Sequence, residues 1–154
     1  TTTIEACRVA SLVDTNILIY RWDPRDPRKQ SIAENLLRES VGAGLLYIPH
    51  QAIVEFMSVA PRLRWMGQPV LTAEEVFREA EELLIEFPIL YPDELMVRTA
   101  LRGMAAYRLS WFDAHLWAYA ERYGMGEILS EDFADSRRYG AVRVRNPFLA
   151  AGVA

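Results

Sequence analysis

The chain has 154 residues, of which 51% are hydrophobic and 25% charged, the make-up of an ordinary globular protein. No apolar stretch approaches the ~20 residues that span a bilayer, so a membrane partner is not expected. A formal net charge of −4 argues against nucleic-acid binding through bulk positive charge, and the single Cys7 cannot form an internal disulfide or a thiolate metal cluster.

The length suits one domain over residues 1–154. Thr1-Thr2-Thr3-Ile4-Glu5-Ala6 lacks the basic and long apolar regions of a signal peptide, so the expected location is the cytoplasm. Leu12-Val13 reads as a buried strand that delivers Asp14 into a turn, with a helix opening at Thr15. Two prolines mark 21–27 as a turn. A helix over 28–40 follows, with Ile32, Ala33, Leu36 and Leu37 on one face. Leu45 to Ile48 is a second strand, closed by Pro49, and a helix over 51–63 encloses Glu55 among Ile53, Val54, Phe56 and Met57.

Residues 64–69 read as a loop. Thr72 and Glu75 form a capping box for a helix to Glu86, whose apolar stripe is Val76, Phe77, Ala80, Leu83 and Leu84 and whose glutamates make a solvated face. A weak strand at 88–91 precedes a helix ending at Tyr107, expected to bury Leu95, Val97, Leu101 and Met104. Ser110 can cap a helix that carries Asp113 in its first turn and turns Phe112, Leu116, Tyr119 and Ala120 inward. Strands at 127–130 and 141–144 flank a loop or short helix containing Asp132 and Asp135. Alternating strands and helices predict an α/β fold with a parallel sheet covered on both faces.

Asp14 and Asp132 sit at the carboxyl ends of predicted strands, and Glu55 and Asp113 lie in helices that follow strands or loops. In a right-handed α/β fold these positions can converge at one end of the sheet. Converging carboxylates repel, so at least one takes up a proton unless a cation neutralises them. Mg²⁺ or Mn²⁺ suits an all-oxygen set, and no rival His-rich or Cys-rich set offers a zinc site. His50 reads as the residue leading into its helix, and His115 as pointing to another side of its helix from Asp113. An acidic, metal-loaded site suits phosphoryl chemistry, in which metal ions activate water and stabilise the leaving oxygen. Asn16 and Ser130 are neutral donors able to orient the carboxylates. Taken singly, Asp14 reads first as a helix cap, and Asn16 and Ser130 read equally as turn and strand-end polar residues.

The segments Val13-Asp14-Thr15-Asn16, Gln51 to Phe56, Trp111 to Ala114, Leu129 to Phe133 and the closing Val142 to Phe148 together resemble the PIN domain, most closely its VapC-like branch. The resemblance covers nearly the whole chain. It implies a three-layer α/β/α sandwich with a mainly parallel central sheet. It also implies a metal-dependent endoribonuclease using Mg²⁺ or Mn²⁺, the toxin of a toxin-antitoxin pair, acting on RNA, forming a homodimer and inhibited by a small antitoxin. Asp14, Glu55, Asp113 and Asp132 are then the catalytic and metal-binding acids, with Asp135 as a less certain member. Products with 5′-phosphate and 3′-hydroxyl ends are expected, because no side chain recruits the 2′-hydroxyl.

Two alternatives stand beside it. One is a catalytically silent PIN-like module that binds RNA or protein. The other is a phosphatase with Asp14 as nucleophile, weakened by Asn16 where such chemistry wants a second acid. All but Lys29 of the basic residues are arginine, the residue suited to phosphate, with Arg137, Arg138, Arg143 and Arg145 close together. A coding bias toward arginine explains the excess equally well. Trp65-Met66, flanked by Arg62 and Arg64, is expected to be an exposed partner contact.

Overall fold

The computed structural model describes residues 9–149; Cys7 and the N-terminal run lie outside them. Strand β1, Ser11–Val13, is central. Its residues Leu12 and Val13 are both fully buried, yet they enter different cores, because successive strand side chains point to opposite faces. One strand therefore nucleates both layers.

On the Val13 face pack α1 (Thr15–Tyr20), α2 (Pro27–Ser40), α3 (His50–Val59) and α4 (Ala73–Glu86), which contribute Ile17, Leu37, Phe56 and Leu83. On the Leu12 face pack α5 (Glu94–Tyr107) and α6 (Trp111–Tyr123), with Met96, Ala100, Leu116 and Tyr119. Between them the strands β2 (Leu46–Pro49), β5 (Ile89–Leu90), β6 (Glu127–Leu129), β7 (Arg138–Tyr139) and β8 (Val142–Arg145) complete a sheet in the order β5-β2-β1-β6-β8-β7. Leu12 pairs in parallel with Tyr47 on one side and Ile128 on the other, and β7 alone runs antiparallel. The α/β/α sandwich with a mainly parallel sheet is as expected. Among the described residues, no helix is long and apolar enough to cross a membrane.

Several caps form as read: the Thr72–Glu75 capping box, and Ser110 accepting from Asp113 N at 3.1 Å. Other expectations are corrected. The supposed loop at 64–69 is a hairpin of β3 (Arg64–Trp65) and β4 (Gln68–Pro69), with Met66 and Gly67 both at positive φ in its two-residue turn. The helix from His50 ends at Val59, because Pro61 cannot extend it, and a short 3₁₀ turn over Ala60–Arg62 follows.

Three helix faces differ as well. Helix α5 buries Met96, Thr99, Ala100 and Gly103 and exposes Leu95 and Leu101. The cause is close approach: a Cβ at Gly103 would lie 2.6 Å from Trp117 Cε3, so small residues face α6. In α4, Phe77 and Leu84 are exposed, while Glu79 is only 5% exposed. Glu79 tolerates burial because Arg21 Nη1 donates to it at 2.9 Å while Arg21 Nε donates to Glu34 at 2.6 Å. Finally, Phe112 does not turn inward. It is 64% exposed, at the start of α6.

Candidate active site

The site begins where β1 ends. Asp14 has extended backbone and caps α1, its Oδ1 accepting from Thr15 N at 2.7 Å. Its other oxygen is held by Ser130, whose hydroxyl donates to Asp14 Oδ2 at 2.6 Å from just beyond the adjacent strand β6. The cap reading and the site reading of Asp14 thus coexist, one on each oxygen.

Asn16, the second residue of α1, spreads its amide over Asp14 Oδ2 at 3.3 Å and Asp132 Oδ2 at 3.2 Å. Ser130 Oγ also accepts from Asp132 N at 3.1 Å, which fixes the β6–Asp132 turn. Glu55 arrives from α3. Thr15 Oγ1 donates to its Oε2 at 2.9 Å and Gln51 Nε2 to its Oε1 at 3.0 Å. Asp113 comes from the first turn of α6. These four acids, Asp14, Glu55, Asp113 and Asp132, line one cleft of ≈ 260 Å³ together with Gln51, Phe112 and Leu116.

Asp135 is elsewhere. It does not line the cleft, and its carboxylate accepts from Asn146 N at 2.8 Å, bracing the exit from β8. That backbone bond, foremost, holds its pKa below the usual carboxylate range. His50 begins α3, and His115 lines a neighbouring cleft that Glu55 also borders.

Electrostatics show the acids acting on one another. Burial pushes the Asp14 carboxyl up to about 7, against the opposing hydrogen bonds from Ser130 and Thr15, and the charges of Asp132 and Glu55 add to the rise. Asp113 is also raised, chiefly by burial, with the same two neighbours contributing. A cluster that resists full ionisation is the donor set that a cation relieves.

The residues fit a hard divalent ion in a particular way. Among the described residues, no three His, Cys, Asp or Glu side chains are gathered into a ready-made cage. The donors are all oxygen, and Asn16 Oδ1 is shielded from solvent without a partner. Such a set matches Mg²⁺ or Mn²⁺, which can keep several waters and take one or two carboxylates directly.

The acid cleft extends toward residues that the sequence did not single out. Tyr20, Asp23, Arg25 and Glu131 line its continuation beside Asp14 and Asp132. Tyr20 Oη donates to Glu131 Oε1 at 2.5 Å and Lys29 Nζ to Oε2 at 2.7 Å. Arg25 is held at the mouth by Asp23, with Nη2 donating to Oδ2 at 2.7 Å. Their meeting depends on tertiary contact between segments about 100 residues apart, and only the run of charge at 131–132 offered a signal.

Carboxylates collected at the carboxyl ends of parallel strands, inside an α/β/α sandwich, define the class of protein. The chain belongs to the PIN domain family, whose model matches residues 11–140. No curated protein sequence matches it. Solved structures share the fold at low identity. A toxin-antitoxin complex from Klebsiella pneumoniae aligns with a TM-score of 0.65 at 20% identity, covering 90% of this chain and 98% of that one. VapC20 of Mycobacterium tuberculosis, a toxin that cleaves the sarcin-ricin loop, aligns at 0.61 and 15%, covering 80% and 92%. DNA-bound VapBC of Salmonella typhimurium aligns at 0.63 and 12%, covering 90% and 98%.

Proposed function

We propose that the chain, a single domain, is a Mg²⁺- or Mn²⁺-dependent endoribonuclease and the toxin of a toxin-antitoxin pair. The observation that carries this reading is the convergence of Asp14, Glu55, Asp113 and Asp132 on one cleft, with Asp14 pushed up to about 7 by burial and its acidic neighbours. When bound, a divalent ion acidifies water and offsets the charge of the phosphodiester. Ser130 and Thr15 N fix both oxygens of Asp14, Gln51 and Thr15 orient Glu55, and Asn16 spaces Asp14 from Asp132.

RNA as substrate is supported by cations placed against the net charge. Arg25 stands at the cleft mouth, ion-paired to Asp23. Arg138 and Arg143 are directly opposed across β7 and β8, a like-charge pairing that costs stability unless an anion bridges it. The neighbours solved as toxin-antitoxin and VapBC complexes support a small antitoxin partner, and we include a homodimer and a cytoplasmic location in the proposal. Trp65, 43% exposed, and Met66, 84% exposed, remain the candidate partner contact on the β3–β4 hairpin.

The test is cleavage of a labelled mixed RNA pool in Mg²⁺, Mn²⁺ or EDTA. The expected result is metal-dependent cutting with 5′-phosphate and 3′-hydroxyl ends, abolished in Asp14→Asn. Cyclic phosphate ends, or intact cutting by that variant at saturating metal, would overturn the reading. The silent binding module draws support from the lack of a ready-made cage among the described residues. It predicts no Mn²⁺-dependent thermal shift and no cutting. A phosphatase is disfavoured because Asn16 stands where that chemistry wants a second acid, two residues after Asp14.

A further inference from the structure

Beside the acids lies a second cleft of ≈ 230 Å³, lined by His50, Pro92, Trp111, Phe112, His115 and Tyr119. It shares Gln51, Glu55 and Phe112 with the acid cleft, so the two form one continuous surface with Phe112 as the common wall. Its character is aromatic. His50 stacks at a tilt on Tyr91, with ring centroids 5.5 Å apart, and Trp111 meets His115 edge-on at 4.3 Å.

Phe112 is the anomaly in this cleft. An aromatic ring left mostly exposed next to a charged residue gives up the stabilisation it would gain from burial, and no neighbour among the described residues covers it. Its backbone is meanwhile pinned, because Gln51 Nε2 donates to Phe112 O at 3.3 Å as well as to Glu55. The same amide therefore sets the position of an acid and of an exposed ring.

We infer that the aromatic cleft seats one unstacked nucleobase of single-stranded RNA, with Phe112 as its stacking platform and the attached phosphodiester at the acids. The inference rests on the reading of the acid cleft as a ribonuclease centre. Every base has a π-face that stacks on an aromatic side chain, and single-stranded RNA is recognised by splaying bases onto such rings. An apolar side chain of a protein partner would make no use of the continuity with the acids.

The test uses the full-length protein and short single-stranded RNAs carrying 2-aminopurine at each position in turn, in Ca²⁺ to slow cutting. Quenching at one position, lost in Phe112→Ala and restored in Phe112→Trp, is the expected result. Affinity should fall about 5- to 150-fold in Phe112→Ala, the range for one base stacked on an aromatic ring. Quenching that is independent of position, or unchanged in Phe112→Ala, would overturn the inference. So would a change in oligomeric mass in Phe112→Ala with binding unaltered, which would make this face an interface between copies. An unshifted circular-dichroism melt checks that the exposed site has been changed without unfolding. If RNA is cut but Phe112→Ala alters neither KM nor site preference, the subsite fails and the nuclease reading stands. If no RNA is cut while position-specific quenching persists, the nuclease reading fails and the base site stands.

Discussion

The Ser130 hydroxyl donates to Asp14 Oδ2 at 2.6 Å, joining the carboxyl ends of two adjacent parallel strands through one short bond. That bond opposes the burial that raises Asp14. In Ser130→Ala the Asp14 carboxyl should rise further, by no more than about one pH unit for a single hydrogen bond of about 1 kcal/mol. The check is the pH at which Mn²⁺ first shifts the melting temperature, expected to move upward. An onset that stays put would show the bond to be idle.

Asp14 itself should make the metal-free fold sensitive to pH. Its carboxyl titrates near 3.8 when unfolded and about 7 when folded, so between these values the folded state holds an extra proton. The contribution of Asp14 is therefore fully present below about pH 4 and is lost as pH rises to about 7, by at most about 1.4 kcal/mol per pH unit. Asp14→Asn should flatten that decline in chemical denaturation without metal. Added Mn²⁺ should recover stability at pH 7.5 in the unmodified protein but not in the variant.

Arg21 joins α1 to α2 and α4 by pairing with Glu34 and Glu79. Glu79 is raised by burial, and Arg21 is the charge that counters this. Arg21→Met leaves a buried carboxylate alone and should cost about 3–5 kcal/mol, more at high pH because only the ionised form is penalised. Pairing it with Glu79→Leu should recover most of the loss. Urea midpoints at pH 5 and pH 8 read both effects.

Gly103→Ala should destabilise by about 1–3 kcal/mol, although alanine suits a helix better by about 1 kcal/mol. The added methyl would meet Trp117 at 2.6 Å, and that indole is held by its bond to Tyr139 O at 3.0 Å. Trp117 fluorescence in the folded state should change together with the midpoint.

At the hairpin, Met66→Asn should be neutral or stabilising by a few tenths of a kcal/mol. Met66 has a φ of 51°, which asparagine adopts more readily in a two-residue turn before glycine. A rise in melting temperature without loss of fold would confirm that the turn, and not the methionine, shapes this segment.

Much of this was legible in the chain. Leu12, Val13 and Asp14 announce a buried strand ending in an acid, and Ser110 announces the cap that presents Asp113. Side-chain size, by contrast, misled. In α5 the large Leu95 and Leu101 face outward because Trp117 needs Gly103 opposite it, a constraint that exists only between helices. Glu79 reads as solvated until Arg21, 58 residues away, neutralises it. Phe112 looked like core by type and spacing. Strand β7 is two residues long, too short for any alternation to register. The Tyr20–Glu131–Lys29 group joins distant segments that no local pattern links.

Both edges of the sheet are stunted. At one side β5 offers only Ile89–Leu90, and at the other β7 offers only Arg138–Tyr139, the first of these arginines opposite another. A strand from another molecule would find two residues of backbone to dock on at either margin, and at one of them a repelling charge. The molecule is thereby guarded against edge-to-edge aggregation. Any recognition of other macromolecules falls to its side-chain surfaces, where single substitutions can tune it without touching the sheet.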